Sequence, residues 1–305
     1  MTLNGQGQPI MLNTAKGESR MKKEQVSAKR LLGIVSGKGG VGKTMTARTL
    51  LDVMRSEGVK AAAFDADGAV GGLVRLYGTR ADDGAIVETQ DPFEGVAFYD
   101  LRSDRERNTL LDSIALQAGV ILHDLPGGST VDMTRIVDGG DGVSGLLDTL
   151  DLHGIRMTLL HVVDNEIESA QSVGAHLDMF GNRVDHVAVL NMRECRSLDD
   201  FPYWKGYRDT SGAERYGKAR KRLLDGGGKE VLLPALPPAT RAKVNAERLP
   251  FSKAALSPTL TITEKAHVAK FLRDFTANLE PARKGVSGVV AEMVATVGLA
   301  GARPS

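Results

Sequence analysis

The sequence predicts an α/β protein built on a doubly wound, mainly parallel sheet with helices on both faces. Three observations point there. Short apolar runs of strand length alternate with helical patterns along most of the 305 residues. A Gly-rich turn at residues 37–44 joins the first apolar run to the first helical pattern. Acidic residues close two of the later runs, at Asp65 and Asp124. In such sheets the carboxyl ends of the strands are where ligands bind.

Taken in order, Leu31–Val35 reads as the first strand. Thr44–Glu57 reads as a helix with Ala47, Leu50, Leu51 and Met54 on one face and Gly58 as its stop. Ala61–Phe64 is a second strand. Val96–Tyr99, Val120–His123, Met157–Val163, Val187–Leu190 and Val231–Leu236 are further strands. Asn165 and Glu168 make a capping pair for a helix that ends near Gly181 and buries Ala170, Val173, Leu177 and Phe180. Val268, Phe271, Leu272, Phe275 and Leu279 define a late helix. No internal repeat is present.

Residues 30–280 therefore form the folded domain. Residues 1–29, rich in Gly, Gln, Asn, Lys and Glu, read as a flexible leader or as sequence ahead of a start at Met21. Residues 281–305 read as a tail with one weakly amphipathic helix. Within the domain, 193–229 is a lid-like segment. It sets Phe201, Tyr203, Trp204, Tyr207 and Tyr216 among Arg208, Arg215, Lys218, Arg220, Lys221 and Arg222.

Bulk composition narrows the function classes. A formal net charge of +1 means that any nucleic-acid contact has to be a local patch. Cys195 is the only cysteine, so no intramolecular disulfide can form and a reducing cytoplasm is the expected compartment. One thiol per chain also falls short of the set of thiolates that holds an iron–sulfur cluster. No apolar run approaches the roughly 18 residues of a membrane span.

The turn reads Gly37-Lys38-Gly39-Gly40-Val41-Gly42-Lys43-Thr44. Glycines there let successive backbone N–H groups point at phosphates, and the following helix adds its N-terminal dipole. Lys43 is placed to reach the β- and γ-phosphates of ATP, and Thr44 to offer its hydroxyl to Mg2+. The nucleotide-binding set runs on to Met45. Lys38 is unexplained by this chemistry, because Lys43 already serves those phosphates.

With Lys38 included, the string resembles the signature of the MinD/ParA family of deviant Walker-A P-loop ATPases. The resemblance spans roughly residues 30–280. It implies that Lys38 crosses a face-to-face, ATP-dependent homodimer to touch the partner's ATP. Phe64-Asp65-Ala66-Asp67-Gly68 resembles the family's Asp-x-Asp element. By that likeness Asp65 helps hold magnesium-bound water and Asp67 orients the attacking water. A polar turn with Asp67 as a helix cap is the alternative. The family's Pro-Gln after this pair is replaced by Gly68-Ala69-Val70-Gly71-Gly72.

His123-Asp124-Leu125-Pro126-Gly127-Gly128 resembles the Walker-B and switch segment, which implies that Asp124 holds the metal and that Gly127 or Gly128 senses the γ-phosphate. His123 is read as a packed or hydrogen-bonded residue. Asn191, closing its strand, is implied to read adenine. Leu236-Pro237-Pro238 resembles the loop beside the base, which brings Pro237 to the cofactor; ordinary turn chemistry explains it equally.

The resemblance implies slow ATP hydrolysis to ADP, stimulated by an activating or cargo-adaptor protein, in a switch that positions plasmid, chromosome or cellular cargo. Lys38, Lys43 and Asp67 would carry the chemistry. The basic-aromatic segment is a candidate for nonspecific DNA contact. Membrane attachment is disfavoured, because the stripe Val286, Val289, Val290, Met293, Val294 and Val297 has no lysine belt opposite it. A small-molecule kinase or amide ligase sharing the loop is the alternative function. The products of ATP turnover separate the two.

Overall fold

The computed structural model describes residues 29–68 and 71–284. Its first half comprises β1 (Arg30–Val35), α1 (Lys43–Ser56), β2 (Ala61–Asp65), α2 (Gly72–Tyr77), β3 (Ala97–Phe98), α3 (Thr109–Asp112), β4 (Val120–Asp124), α4 (Thr130–Thr134) and α5 (Ser144–Leu152). There follow β5 (Arg156–Val163), α6 (Ile167–Phe180), β6 (Asp185–Asn191), α7 (Pro202–Lys205), β7 (Tyr207–Arg208), β8 (Glu214–Arg215) and α8 (Lys218–Asp225). The last elements are β9 (Lys229–Leu233), α9 (Pro238–Ala246), α10 (Phe251–Ala254) and α11 (Ile262–Lys284).

Seven strands form one sheet in the order β3-β2-β4-β1-β5-β6-β9. Among the described residues every pairing in it is parallel. Both faces are covered, and the strands show it residue by residue. In β1, Leu32 and Ile34 join one apolar core while Leu31 and Val35 join the other. Ala61 and Ala63 of β2 split from Ala62 and Phe64 in the same way. Continuous apolar runs with period-two partition are what a sheet buried on both sides requires. The chain leaves β1 for β2 on one side and later returns to β5 on the other. The carboxyl ends of β1 and β4 therefore flank the switch point where open α/β sheets bind ligands.

Local chemistry explains most boundaries. The α1 helix turns its Ala47, Leu50, Leu51 and Met54 face into the core. Gly58 ends it with φ of 80°, and the Gly58 and Val59 amides donate to Arg55 and Met54 carbonyls at 3.1 and 3.0 Å. Lys29, the last residue of the expected leader, already belongs to the fold, since its carbonyl accepts the Arg156 N–H at 3.1 Å.

Four further expectations are corrected. The Asn165–Glu168 capping pair does not form: Glu166 is the N-cap of α6 and has no side-chain cap bond. Asp164 takes that role one residue earlier, accepting the Glu166 N–H at 3.1 Å, while Ser169 Oγ donates to the Glu166 carbonyl at 2.9 Å. Strand β9 stops at Leu233 rather than Leu236, because Pro234 has no N–H for the ladder. Pairing at the sheet edge covers only Ala97–Phe98 of the expected Val96–Tyr99. At the other end of the chain, α11 runs through the expected boundary at 280 to Lys284. The stripe from Val286 to Val297 and residues 1–28 lie outside the described residues.

Segment 193–229 divides by burial. Phe201 and Trp204 are fully buried with Val173, Leu190 and Leu223, and Trp204 Nε1 donates to Glu230 at 2.6 Å. Tyr207 of the short β7–β8 hairpin and Tyr216, the residue after β8, stay about half exposed. Five of the six named cations hold a carboxylate: Arg208 with Glu214, Arg215 with Asp209, Arg220 with Glu230, Lys221 with Asp225 and Arg222 with Asp178. Most of the charge that suggested a basic patch is compensated within the chain.

Candidate nucleotide site

The loop between β1 and α1 follows the last buried strand residue, Val35. Gly42 enters the helix at φ 105°, a left-handed conformation that suits glycine. A side chain at Gly42 would overlap Asn191 Nδ2. Gly127 packs against the Lys38–Gly39 peptide so closely that a Cβ there would lie 2.9 Å from the Lys38 carbonyl carbon. The Gly128 N–H donates to the Ser36 carbonyl at 3.1 Å, and Leu125 N–H to that of Ile34 at 3.2 Å. The segment after β4 is thus stitched onto the loop between β1 and α1, and any movement of one is felt by the other.

The two loop lysines diverge. Lys43 Nζ turns into the loop and donates to the Lys38 carbonyl at 3.1 Å. Burial pushes its pKa down, against the pull of Asp124 and Asp67 and with a push from the Arg102 charge. Lys38 points the other way. Its ammonium lies 3.5 Å from Asp164 and 3.8 Å from Glu168, and the side chain is 31% exposed.

The acidic residues converge but do different jobs. Thr44 Oγ1 donates to Asp124 Oδ2 at 2.7 Å. Asp124 Oδ1 is buried without a partner, and burial, with Asp65 nearby, raises this carboxyl to about 7. An orphaned carboxylate oxygen beside a threonine hydroxyl fits an oxygen-loving divalent cation such as Mg2+. Asp65 is already occupied. It accepts the Leu73, Val74 and Asp67 N–H groups at 2.7, 2.9 and 3.2 Å, so it holds the start of α2 against the end of β2. Burial nonetheless raises its pKa.

Gly71 makes this capture possible, since a Cβ there would overlap the Asp65 carboxylate. Gly71→Ala should therefore expel a buried carboxylate from backbone donors, at a cost of about 2–3 kcal/mol. Urea unfolding of the variant measures it, and an unchanged midpoint would show that the capture is not needed.

A cavity of about 320 Å³ lies at the head of α1, walled by Thr44, Met45, Asn191, Leu236 and Arg241 among others. That is the low end of the range for small-molecule sites, ~300–1,000 Å³. Asn191 is engaged at both ends, Nδ2 to the Val41 carbonyl at 2.8 Å and Oδ1 from the Arg193 N–H at 3.1 Å. Pro237 lies one residue beyond Leu236 of the wall and is the N-cap of α9. His123 is core, as expected: Tyr99 and Ser113 hydroxyls bond its two nitrogens at 3.0 and 3.1 Å, and burial lowers its pKa to about 3.

Two residues here were not anticipated. Arg48, buried in α1, stacks over Phe251, bonds the Leu249 carbonyl at 2.6 Å and walls the cavity. Arg102 donates to Asp67 Oδ1 at 2.6 Å.

A Gly-rich loop at the carboxyl end of the central strand, two acidic strand ends beside it and a cavity at the helix head define a P-loop nucleotide-binding α/β protein. The CobQ/CobB/MinD/ParA nucleotide binding domain matches residues 32–294, and the chain belongs to that family. The flagellum site-determining protein YlxH of Helicobacter pylori is 22% identical over 171 residues, which are 56% of this chain and 51% of that protein. The chain thus matches about half the length of this curated relative.

Among solved structures, the cell division ATPase MinD of Pyrococcus furiosus is 20% identical with a TM-score of 0.47, covering 81% of this chain and 98% of that one. The septum site-determining protein MinD of Pyrococcus horikoshii, complexed with Mg-ADP, is 20% identical with a TM-score of 0.44, covering 83% and 98%. Among the described residues no helix is long and apolar enough to cross a membrane.

Proposed function

We propose that this protein is an ATP-dependent, dimerising switch ATPase that hydrolyses ATP to ADP and phosphate and helps position a cellular or plasmid cargo through an adaptor protein. The observation that carries this reading is the divergence of the loop lysines. Lys43 serves the phosphates of its own chain, whereas Lys38 stands on the outer lip with weak, part-exposed acidic partners and is free to reach across to a second copy. Membership of the family supports nucleotide chemistry, and the site-determining role of the flagellar relative supports positioning. The internal pairing of the 193–229 cations lowers, without abolishing, the positive field that this segment would offer to duplex DNA.

In this reading the loop amides and Lys43 bind the β- and γ-phosphates. Thr44 and Asp124 would hold Mg2+, which when bound neutralises charge on the phosphates. Asp67 orients a water in line with the γ-phosphorus. The new P–O bond forms as the bond to the β–γ bridging oxygen breaks, and the water's proton ends on the released phosphate. Loss of the γ-phosphate frees the stitched segment after β4 to rearrange and the dimer to part.

Light-scattering mass measurement tests the reading. Monomer is expected with ADP, and a stable dimer for Asp67→Ala with ATP. A constant mass across nucleotides would remove the dimer switch. Phosphate transferred to a small acceptor, rather than released, would replace it with the kinase or ligase.

A further inference from the structure

We propose that Arg102 is a further catalytic residue: a cation supplied by the same chain that contacts the transferred γ-phosphoryl while bonded to Asp67. The inference rests on the ATPase reading above. Arg102 lies outside the loop between β1 and α1 and outside both acidic strand ends. Only folding brings it in, because β3 pairs in parallel with β2, and beyond the strands Asp67 bridges to Asp100.

The geometry is that of a pinned base with a free head. The Arg102 N–H donates to Asp100 Oδ1 at 2.9 Å, and its carbonyl accepts from Arg107 Nη2 at 3.1 Å. The guanidinium, 49% exposed, bonds Asp67 Oδ1 through Nη1 alone. Nε and Nη2 have no partner among the described residues. A planar guanidinium with idle donors is suited to take a carboxylate on one side and a phosphoryl oxygen on the other.

Position follows from Asp67. The carboxylate that orients the attacking water stands one water from the γ-phosphorus. The half-exposed guanidinium bonded to that carboxylate by one nitrogen can turn its remaining donors toward the phosphoryl oxygens when ATP is bound. Its charge is felt at Lys43, and the Asp67, Asp100 and Asp132 carboxylates act on it, so it belongs to the same charged cluster as the phosphate loop. As charge develops on the γ-phosphoryl, Lys43 and Arg102 both answer it. The bond-making and bond-breaking steps are those given above, and no proton is asked of Arg102.

Single-turnover hydrolysis with enzyme in excess, on the full chain with Mg2+ and ATP, tests this. Arg102→Ala should slow the chemical step by about 10³-fold or more, the low end of the effect of arginines that touch the transferred phosphoryl. ADP affinity and the thermal midpoint should change little. Arg102→Lys should recover part of the rate. Wild type should trap ADP with aluminium fluoride, and Arg102→Ala should fail to do so. A rate within threefold of wild type, or a rise showing that the ion pair restrains Asp67, would overturn the proposal. Equal losses in rate and ADP affinity would also overturn it, making Arg102 a binding residue only. Absence of hydrolysis in wild type, or an Asp67→Ala variant as fast as wild type, would instead remove the reading on which it rests.

Discussion

Lys43→Ala should lose ADP and ATP binding by at least about 10²-fold while the fold survives. Two charge-assisted bonds to phosphate oxygens contribute roughly 1.5–3 kcal/mol each. In the free protein the same ammonium makes one hydrogen bond, to the Lys38 carbonyl, and its burial disfavours its charge. Removing it therefore relieves a desolvation cost that only bound phosphate offsets. Asp124 is not left as a bare charge, because its carboxyl, raised to about 7, is partly protonated near neutrality. Calorimetric titration with ADP and a thermal melt without nucleotide separate the two effects. Binding within fivefold of wild type would take Lys43 out of the cradle. A collapsed melting temperature would show that the lysine serves the fold instead.

Much of this site could be read from the chain because its chemistry is local. Gly37–Thr44 is contiguous, and the strand before it and the helix after it each carry their own periodicity. Asp65 and Asp124 are strand ends, so placing the strands placed the acids. What escaped depends on contacts between distant segments. Arg102 meets Asp67 only through the β2–β3 edge, and no spacing in the sequence announces that pair. Asp65 looks like a free carboxylate in the sequence, yet three N–H groups hold it, two of them from the start of α2.

The basic-aromatic density of 193–229 suggested an exposed surface. Phe201 and Trp204 instead make a third core under α6 and α8, and the cations are balanced by acids such as Asp178 and Glu230. Composition over a window records which residues are present. It does not record which carboxylates fold back onto them.

A row of buried imidazoles has a consequence for stability in acid. His161 Nε2 and His186 Nδ1 lie 2.9 Å apart between β5 and β6, and His176 of α6 bonds Thr130 Oγ1 at 2.9 Å. With His123, these histidines are all buried and neutral. Burial lowers His176 to about 4 and His123 to about 3, and it lowers His161 and His186 as well. An unfolded chain takes up these protons near pH 6.5. The stability gained by keeping the rings neutral is therefore complete above that pH and drains away as pH falls toward the folded values. Each ring costs about 1.4 kcal/mol per pH unit in that window.

Asp124 and Asp65 work in the opposite sense, because each folded carboxyl takes its proton before the unfolded one does, and they offset part of this loss. Four rings against two carboxyls still leave a stability that falls as the pH drops below about 6.5. Urea titrations from pH 7.5 to 5.5 read the slope directly. His176→Gln, which can still donate to Thr130, should flatten that slope by about one proton. A stability independent of pH across that range would mean that the rings are hydrated or already charged in the fold.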